Sequence, residues 1–289
     1  MLKYRAISFP LLMGLLWAIF FTSRGVWLFT FCAMLMVGLA AYECARMIND
    51  GLAPCFPKTA GIISAGFVIV TLMDRLGSGD FSEAWWLLWM GLVVLGSLLS
   101  WVVTVLGNAE TAKKGFATMG IVWSIIVPFG LVAVLYTPEP KYLLFVMLVT
   151  KAMDTGGYIF GMLSNKWMKG GNHKLCPSIS PKKSWEGFAG GVFLALLTAW
   201  ALRAIFPAWD FSRYLGAYAM WKELVLAVLL ALASIAGDLT ESALKRKCGV
   251  KDSGHLIPGM GGPLDVLDSF IYVGPVCLIY SGILMAFNL

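Results

Sequence analysis

The sequence contains little charge and almost no histidine. Asp, Glu, Lys and Arg together make up 13% of the 289 residues, His occurs twice, and hydrophobic residues make up 59%. The mean hydropathy of +0.80 excludes an ordinary soluble globular domain. We therefore predict a polytopic membrane protein.

Several motif classes are missing as well. The six cysteines form no Cys-x-x-Cys pair, so we expect reduced thiols and no disulfide framework. His173 and Cys176 are close in sequence, but two ligands without a second pair do not make a zinc site. No Gly-x-x-x-x-Gly-Lys-Ser/Thr loop occurs, which excludes a P-loop nucleotide site.

Long apolar runs recur along the chain instead. A bilayer core ~30 Å thick requires ~20 apolar residues per helix, and we predict about nine spans. Their boundaries are 6–22, 26–48, 60–73, 84–106, 119–136, 142–163, 187–206, 222–241 and 269–287, the third being short. The predicted fold class is all-α, a polytopic integral membrane protein.

Basic residues concentrate in alternate loops. Fifteen Lys and Arg fall on one side of this topology, and six fall on or near the other. By the positive-inside rule the rich side is cytoplasmic, which predicts a cytoplasmic amino terminus and a multi-pass protein of the inner membrane. The net charge of +6 follows the topology, so we expect contact with the bilayer and no nucleic-acid partner.

Polar residues concentrate in the second half of the chain. We interpret residues 1–140 as a transmembrane scaffold and 141–289 as a catalytic membrane region with cytoplasmic loops 164–186 and 242–268. In "LLFVMLVTKAMDTGGYIFGML", Lys151 and Asp154 lie at i, i+3 inside an apolar span, where ionisable groups are costly and often functional. A packing ion pair is the simpler alternative. Gly156 and Gly157 follow, where a helix can break or another backbone can approach.

The loop "GNHKLCPSISPKKSWEG" brings hydroxyls and ammonium groups to an expected membrane interface. Basic residues at a cytoplasmic helix end are common and mean little alone. Ser180, Lys182, Lys183 and Ser184 together suit an anionic headgroup or a phosphate.

The stretch from Gly237 to Ser269 holds five of the sixteen carboxylates. Asp238, Glu241 and Ser242 share a face if the eighth span continues through them, and Asp265 and Asp268 stand where the ninth span begins. An all-oxygen cluster built from two helix ends suits Mg²⁺ better than a soft metal. Four basic residues and a Gly/Pro turn between these acids favour phosphoryl or nucleotidyl transfer over a merely solvated loop.

At these residues the sequence resembles a known family. "SALKRKCGVKDSGHLIPGMGGPLDVLDS" closely resembles the signature of phosphatidate cytidylyltransferases, also called CDP-diglyceride synthetases, and "HKLCPSISPKKSWEG" and "DTGGYIFG" are similar to two further family blocks. The resemblance implies transfer of CMP from CTP to phosphatidate, giving CDP-diacylglycerol and pyrophosphate. It also implies an all-helical polytopic fold, a homodimer and dependence on Mg²⁺, with a second, monovalent cation left open.

The resemblance implies the site residues too. It puts Asp238 and Asp265 at the metal centre, to which we add Ser242, and it makes Asp238, Lys245, Asp265 and Asp268 the catalytic set. The expected substrate-binding residues are Asp154, Ser180, Lys182, Lys183, Glu186, Arg246, Lys251, Asp252, Ser253 and His255. Because the phosphate of phosphatidate is already an anion, these residues need to screen charge and align the reactants.

Two positions depart from the family pattern. A histidine usually precedes the paired glycines and a basic residue follows the first closing aspartate, whereas this chain has Met260 and Val266. Loss of an imidazole and a cation weakens phosphate binding or shifts its preference. A divergent paralogue that acts on a related lipid is therefore an alternative.

Two other functions stay open on the sequence alone. A CTP-dependent lipid-alcohol kinase would use similar carboxylates and lysines on a helical membrane scaffold. An ion-coupled transporter would use Lys151 and Asp154 as a relay and a helix broken at Gly156 and Gly157, although its polar residues would then reach both sides of the membrane.

Overall fold

The computed structural model describes residues 18–22, 25–72, 109–136, 140–209, 211, 215, 219–257 and 261–287. The predicted span 84–106 and most of 6–22 lie outside these described residues. Within them the chain is mostly helical, and five helical segments are long and apolar enough to cross a membrane. The protein is thus a helical membrane protein, as predicted.

The helices and strands follow the chain in a simple order. They are α1 Gly25–Gly51, α2 Pro57–Leu72, α3 Ala109–Tyr136, α4 Pro140–Trp167, β1 Lys174–Cys176, β2 Ser180–Ser184, α5 Trp185–Ile205, α6 Met220–Lys247, α7 Pro263–Leu267, a 3₁₀ turn Asp268–Phe270 and α8 Val273–Ala286. The five segments of membrane-spanning length are α1, α4, α5, α6 and Pro263–Leu284, which runs from α7 into α8. With 16 residues, α2 is short, like the third predicted span that it overlaps.

The chain divides into two compact units. The first comprises Met1–Thr137 and Lys245–Leu267, and the second comprises Pro138–Leu244 and Asp268–Leu289. Much of the signature stretch therefore packs with amino-terminal residues. In the first unit, α1 packs along α2, and both α3 and α7 contact α1.

Small residues allow the helices of the first unit to approach closely. A Cβ atom built on Gly38 of α1 would lie 2.8 Å from the Cβ atom of Ala65 on α2. Ala40, Ala41 and Ala45 on the same helix are fully buried. Lipid tails provide no hydrophobic drive between helices, so close packing of small residues provides the attraction.

In the second unit, glycines line the contact between α4 and α5. A Cβ atom on Gly156 would lie 2.8 Å from the carbonyl oxygen of Gly190, and one on Gly187 would lie 2.7 Å from that of Gly157. Of the two possibilities for Gly156 and Gly157, the close backbone approach is confirmed. The helix is not broken, because α4 continues to Trp167.

The predicted cytoplasmic loop 164–186 contains a β-hairpin, so the fold is not purely helical. Lys174 pairs with Ser184 and Cys176 with Ser180 in an antiparallel register that contains an irregularity. Ser184 then caps α5 by accepting a hydrogen bond from the Gly187 N–H at 3.1 Å. A three-residue and a five-residue strand with Pro and Lys lack the alternation that marks a strand, which is why the sequence indicated only a loop.

Two helix boundaries differ from the prediction. The eighth span was placed at 222–241, but α6 continues to Lys247, since the added turn is rich in good helix formers and ends in basic side chains that suit a helix C-terminus. The ninth span was placed at 269–287, but helical structure begins at Pro263 and passes through a 3₁₀ turn before α8. Asp265 and Asp268 consequently lie on two different short elements.

Candidate active site

A cavity of about 280 Å³ lies in the second unit. It is bordered by α4, β2, the start of α5 and the end of α6. Its lining residues are Met153, Asp154, Gly157, Tyr158, Ser180, Lys182, Lys183, Ser184, Gly187, Phe188, Ile235 and Asp238. Five residues predicted to bind substrate or metal thus meet at one cavity: Asp154, Ser180, Lys182, Lys183 and Asp238.

Asp238 connects the hairpin to α6. Its Oδ2 atom forms an ion pair with the Lys183 ammonium at 2.7 Å. The Asp238 side chain is 35% exposed and the Lys183 side chain 18%. Ser242 Oγ, one turn further along α6, donates to Asp238 Oδ1 at 3.3 Å. The predicted shared face of Asp238 and Ser242 is therefore confirmed.

A hydrogen-bonded network surrounds Asp154 in the same unit. The predicted ion pair forms, with Lys151 Nζ 3.0 Å from Asp154 Oδ2. Ser269 Oγ donates to that oxygen at 2.9 Å, and Ser234 Oγ donates to Asp154 Oδ1 at 2.8 Å. α4, α6 and the 3₁₀ turn are thereby joined at one carboxylate, and the sequence analysis missed both serines.

Asp268 lies at the edge of this network. It is 9% exposed, and its Oδ1 atom lies 3.0 Å from the Ser269 hydroxyl, which shares its one hydrogen between Asp268 and Asp154. A Cβ atom built on Gly237 would overlap the Asp268 carbonyl oxygen, so the backbone before Asp238 directly contacts Asp268. Asp238 and Asp154 act on Asp268 as like charges and Lys151 as the opposite charge. Such a cluster would gain from a bound cation.

In the first unit, Asp265 lies within the signature segment, which comprises the described residues 245–257 and 261–267. Lys245 Nζ lies 2.7 Å from Asp265 Oδ1, and both side chains are almost buried. The N–H groups of Gly262 and Ser253 donate to Asp265 Oδ2 at 2.7 and 3.1 Å, and Ser253 Oγ lies 2.9 Å from the same oxygen. Three predicted site residues, Lys245, Ser253 and Asp265, are therefore in direct contact.

Glu43 of α1 joins the signature segment and was missed by the sequence analysis. Its Oε2 atom accepts hydrogen bonds from the Leu264 N–H and the Ser253 hydroxyl, both at 3.1 Å. A sequence signal was available, because a carboxylate inside an apolar span is rarely without a role. The partners, more than 200 positions away in the chain, could not be read from the sequence.

Other predicted residues lie elsewhere. Besides Ser253, five described residues that were predicted to bind substrate do not line the cavity. Four of them are exposed, namely Arg246, Lys251, Asp252 and His255, and Glu186 is half-buried. Glu186 instead accepts a hydrogen bond from His173 Nδ1 at 2.6 Å, at the base of the hairpin. Of the two departures from the family pattern, Val266 lies on α7, and Met260 lies outside the described residues.

The donor atoms fit a hard cation. Asp238 and Ser242 offer oxygen ligands, as does Asp268. Among the described residues, no group of three or more His, Cys, Asp or Glu is arranged to hold a metal. Mg²⁺ at nucleotide sites is usually held by one or two carboxylates together with substrate phosphates and water. Asp238 could therefore supply the carboxylate ligand that the protein has to contribute.

Comparison with known proteins agrees with the signature. A family model described as the cytidylyltransferase family matches residues 3–284. The chain belongs to this family. It is therefore a nucleotidyltransferase, which favours cytidylyl transfer over the lipid-alcohol kinase and the ion-coupled transporter.

Curated relatives of this cytidylyltransferase are named phosphatidate cytidylyltransferase. The protein of Staphylococcus saprophyticus is 36% identical over 228 residues, which cover 76% of this chain and 78% of the relative. That of Staphylococcus aureus is 33% identical over 245 residues, 82% of this chain and 85% of the relative. That of Staphylococcus epidermidis is 32% identical over 244 residues, with the same two shares of 82% and 85%.

Proposed function

We propose that this cytidylyltransferase transfers CMP from CTP to phosphatidate, giving CDP-diacylglycerol and pyrophosphate in phospholipid synthesis. The family and the names of its relatives supply the reaction class. The structural observation that carries the proposal is the cavity in which Lys182, Lys183 and Ser180 stand beside Asp238. Ammonium and hydroxyl donors next to a carboxylate are suited to phosphate groups and a divalent cation.

The lysines of the hairpin are placed to bind a phosphate group. Lys182 is exposed, and Lys183 is largely covered and reaches Asp238. An ammonium group in a partly dry cavity interacts with a phosphate more strongly than one in bulk water. We assign the headgroup of phosphatidate to this cavity, with Ser180 as a further donor.

Mg²⁺ is proposed as the cofactor, held by Asp238 with Ser242 near it. When bound there it would neutralise phosphate charge and stabilise the charge that develops during transfer. Asp238 would exchange its ion pair with Lys183 for the metal, which frees the Lys183 ammonium for phosphate oxygens. The assignment of Asp265 as a second metal ligand remains a prediction from the sequence.

The reaction needs no general base, because the attacking oxygen of phosphatidate is already anionic. This oxygen forms a bond to the α-phosphorus of CTP, while the bond from that phosphorus to the β-phosphate oxygen breaks and pyrophosphate leaves. The protein's task is to align two anionic reactants and offset their repulsion. Lys182 and Lys183 do so at the lipid phosphate, and Lys245 is the proposed cation for the leaving pyrophosphate.

Asp238→Asn should abolish CMP transfer, to below about 1% of the wild-type rate, because the amide keeps the shape and loses the charge that holds Mg²⁺. The measurement uses purified protein, Mg²⁺, phosphatidate and CTP labelled on the α-phosphate, with the lipid separated by thin-layer chromatography. Asp50→Asn is the matched control, since Asp50 is an exposed aspartate whose side chain is 65% exposed.

The same assay decides between the proposed reaction and its rivals. CTP labelled on the γ-phosphate should leave the lipid unlabelled, whereas a lipid-alcohol kinase would label it. Unchanged turnover in Asp238→Asn would contradict the metal role. If a panel of phosphorylated lipids shows a better acceptor than phosphatidate, the paralogue interpretation based on Met260 and Val266 replaces the proposed substrate.

The cellular setting is also part of the proposal. We place the chemistry at the cytoplasmic face of the inner membrane, since the basic residues of the hairpin belong to the positively charged side of the predicted topology. A homodimer and a second, monovalent cation are proposed only on the resemblance to the family.

A further inference from the structure

Glu43 occupies an unusual place in the first unit. α1 has no charged side chain from Gly25 to Tyr42, and Glu43 is the first along it. Its side chain is buried, with the residue 8% exposed. A carboxylate buried in an apolar helix is costly unless its oxygens accept hydrogen bonds.

Both donors to Glu43 reach the same oxygen atom. The Leu264 N–H and the Ser253 hydroxyl each lie 3.1 Å from Oε2. Ser253 Oγ is also 2.9 Å from Asp265 Oδ2. Because a hydroxyl has one hydrogen, Ser253 shares it between the two carboxylates. Glu43 is thus bonded to one residue before the Gly/Pro turn of the signature and one residue after it.

Gly254 and Gly262 of the signature make room for the Glu43 carboxylate. A Cβ atom built on either glycine would overlap that carboxylate. Neither glycine has a positive φ, so the requirement for glycine here is close approach and not backbone conformation. The requirement for glycine at these two signature positions therefore comes from a residue of α1, far away in the sequence.

The residues that hold Asp265 are the ones that Glu43 fixes. Asp265 accepts from the N–H groups of Ser253 and Gly262 and pairs with Lys245 at 2.7 Å. Ser253 is bonded to Glu43 directly, and Gly262 lies against it. A displacement of the segment from Glu43 would move Asp265 together with the Lys245 ammonium.

We infer that Glu43 is a positioning residue, which uses Oε2 as an acceptor to fix the signature segment at Ser253 and at Leu264 and so holds Asp265 and Lys245 in their working geometry. Its effect on catalysis rests on the proposed function, whereas the fixing of the segment does not. Glu43 acts through hydrogen bonds to the chain and not through contact with substrate.

Two substitutions separate an acceptor role from a charge role. Glu43→Gln keeps an oxygen that can accept from both Leu264 and Ser253, so the segment should stay fixed and kcat should fall by no more than about threefold. Glu43→Met has a similar shape without an acceptor and leaves two donors unsatisfied, so kcat should fall about tenfold or more. A residue that works through its charge would be inactivated by both.

Cys248 reports on the segment independently of catalysis. A Cβ atom on Gly51 would lie 2.8 Å from the Cys248 Cα atom, so this cysteine packs on the end of α1. Cys248 is partly covered, and burial raises the pKa of its thiol, which lowers the fraction present as the thiolate that maleimides attack. Release of the segment from α1 should uncover the thiol and speed its alkylation about fivefold or more, since a local opening exposes groups that packing covers.

The experiment measures N-ethylmaleimide alkylation of each cysteine in the full-length protein by peptide mass spectrometry, beside CMP transfer. Glu43→Met should raise the rate at Cys248 and leave the buried Cys55 unchanged, and Glu43→Gln should resemble wild type. Glu223→Met, which removes a buried glutamate from α6, is the matched control and should leave Cys248 protected. Gly262→Ala should release the segment with Glu43 still present.

Two results would overturn the positioning role. One is a wild-type alkylation rate at Cys248 in both Glu43→Met and Gly262→Ala. The other is a Glu43→Gln variant that is as inactive as Glu43→Met although its Cys248 reacts at the wild-type rate. If Glu43→Met does not fold, Gly262→Ala decides alone. Wild-type protein that transfers no CMP to phosphatidate, but shows the expected alkylation pattern, would refute the proposed function and leave the fixing of the segment intact.

Discussion

Two lysines neutralise two of the predicted catalytic aspartates, each within one unit. Lys183 pairs with Asp238 in the second unit, and Lys245 pairs with Asp265 in the first. A partly buried ion pair gains little net stability, because the loss of hydration offsets much of the attraction. We therefore interpret these pairs as functional, with each lysine able to move to a phosphate oxygen when substrates bind.

Lys183→Gln tests this interpretation. The change removes an ammonium from the cavity, and kcat/KM for phosphatidate should fall about tenfold or more, since a hydrogen bond to a charged group is worth about 1.5–3 kcal/mol. Initial rates over a range of phosphatidate in mixed micelles measure it. Lys169→Gln, in the turn after α4, removes the same charge and should keep wild-type kinetics. Equal losses in the two variants would indicate a general charge effect.

Among contacts between individual residues, the sequence predicted those that local spacing along a helix determines. Lys151 with Asp154, and Asp238 with Ser242, are separated by one helical turn, and both pairs form. Contacts of Glu43 with Ser253, and of Lys183 with Asp238, depend on chain folding over long separations, which no local pattern encodes. The resemblance to the family named Ser253, Lys183 and Asp238 without indicating their partners, and it did not name Glu43.

The contact of α4 with α5 is the clearest case in which an element depends on residues that lack side chains. Gly156, Gly157 and Gly161 on α4 face Gly187, Gly190 and Gly191 on α5. This packing sets where Asp154, near the middle of α4, stands relative to Ser184 and the hairpin. The shape of the cavity therefore follows from the absence of Cβ atoms along two helices.

Gly156→Ala should destabilise the protein by about 1–3 kcal/mol, because the added methyl group meets backbone atoms that cannot move aside. The Cβ atom would lie 2.8 Å from the Gly190 carbonyl oxygen. Gly282→Ala on α8 is the control, since no atom of the described residues lies within 4 Å of its Cβ position, and the change should leave stability unchanged or slightly raised. Thermal unfolding in detergent measures both, and an equal shift for the two would contradict the packing argument.

Helices with long apolar runs were predictable from the sequence, and short polar elements were not. The helices of membrane-spanning length fall where long apolar runs predicted them, apart from their ends. The hairpin was not predictable, because it is held by the Ser184 cap and by the hydrogen bond from the Trp185 N–H to the His173 carbonyl, and both contacts involve the first turn of α5. Short polar strands carry no periodic hydrophobic signal.

The orientation of the whole molecule remains a prediction and can be measured on the native cysteines. Cys176 lies on β1 and is partly exposed, whereas Cys44 is buried in α1. The charge asymmetry predicts that a membrane-impermeant maleimide labels Cys176 in inverted membrane vesicles and not in right-side-out ones. Cys44 should stay unlabelled in both until detergent and denaturant are added. Labelling of Cys176 from the outside would reverse the topology.

The division of the molecule into two units does not follow the order of the chain. The backbone passes from one unit to the other after Thr137, after Leu244 and after Leu267, so the closing pair of aspartates, Asp265 and Asp268, is split between them. A single crossover between two related genes therefore cannot exchange one unit as a block. A recombinant with its crossover between these positions would take Glu43 from one parent and the glycines that accommodate it from the other. Such hybrids should fold and function only where both parents have the same residues at this contact.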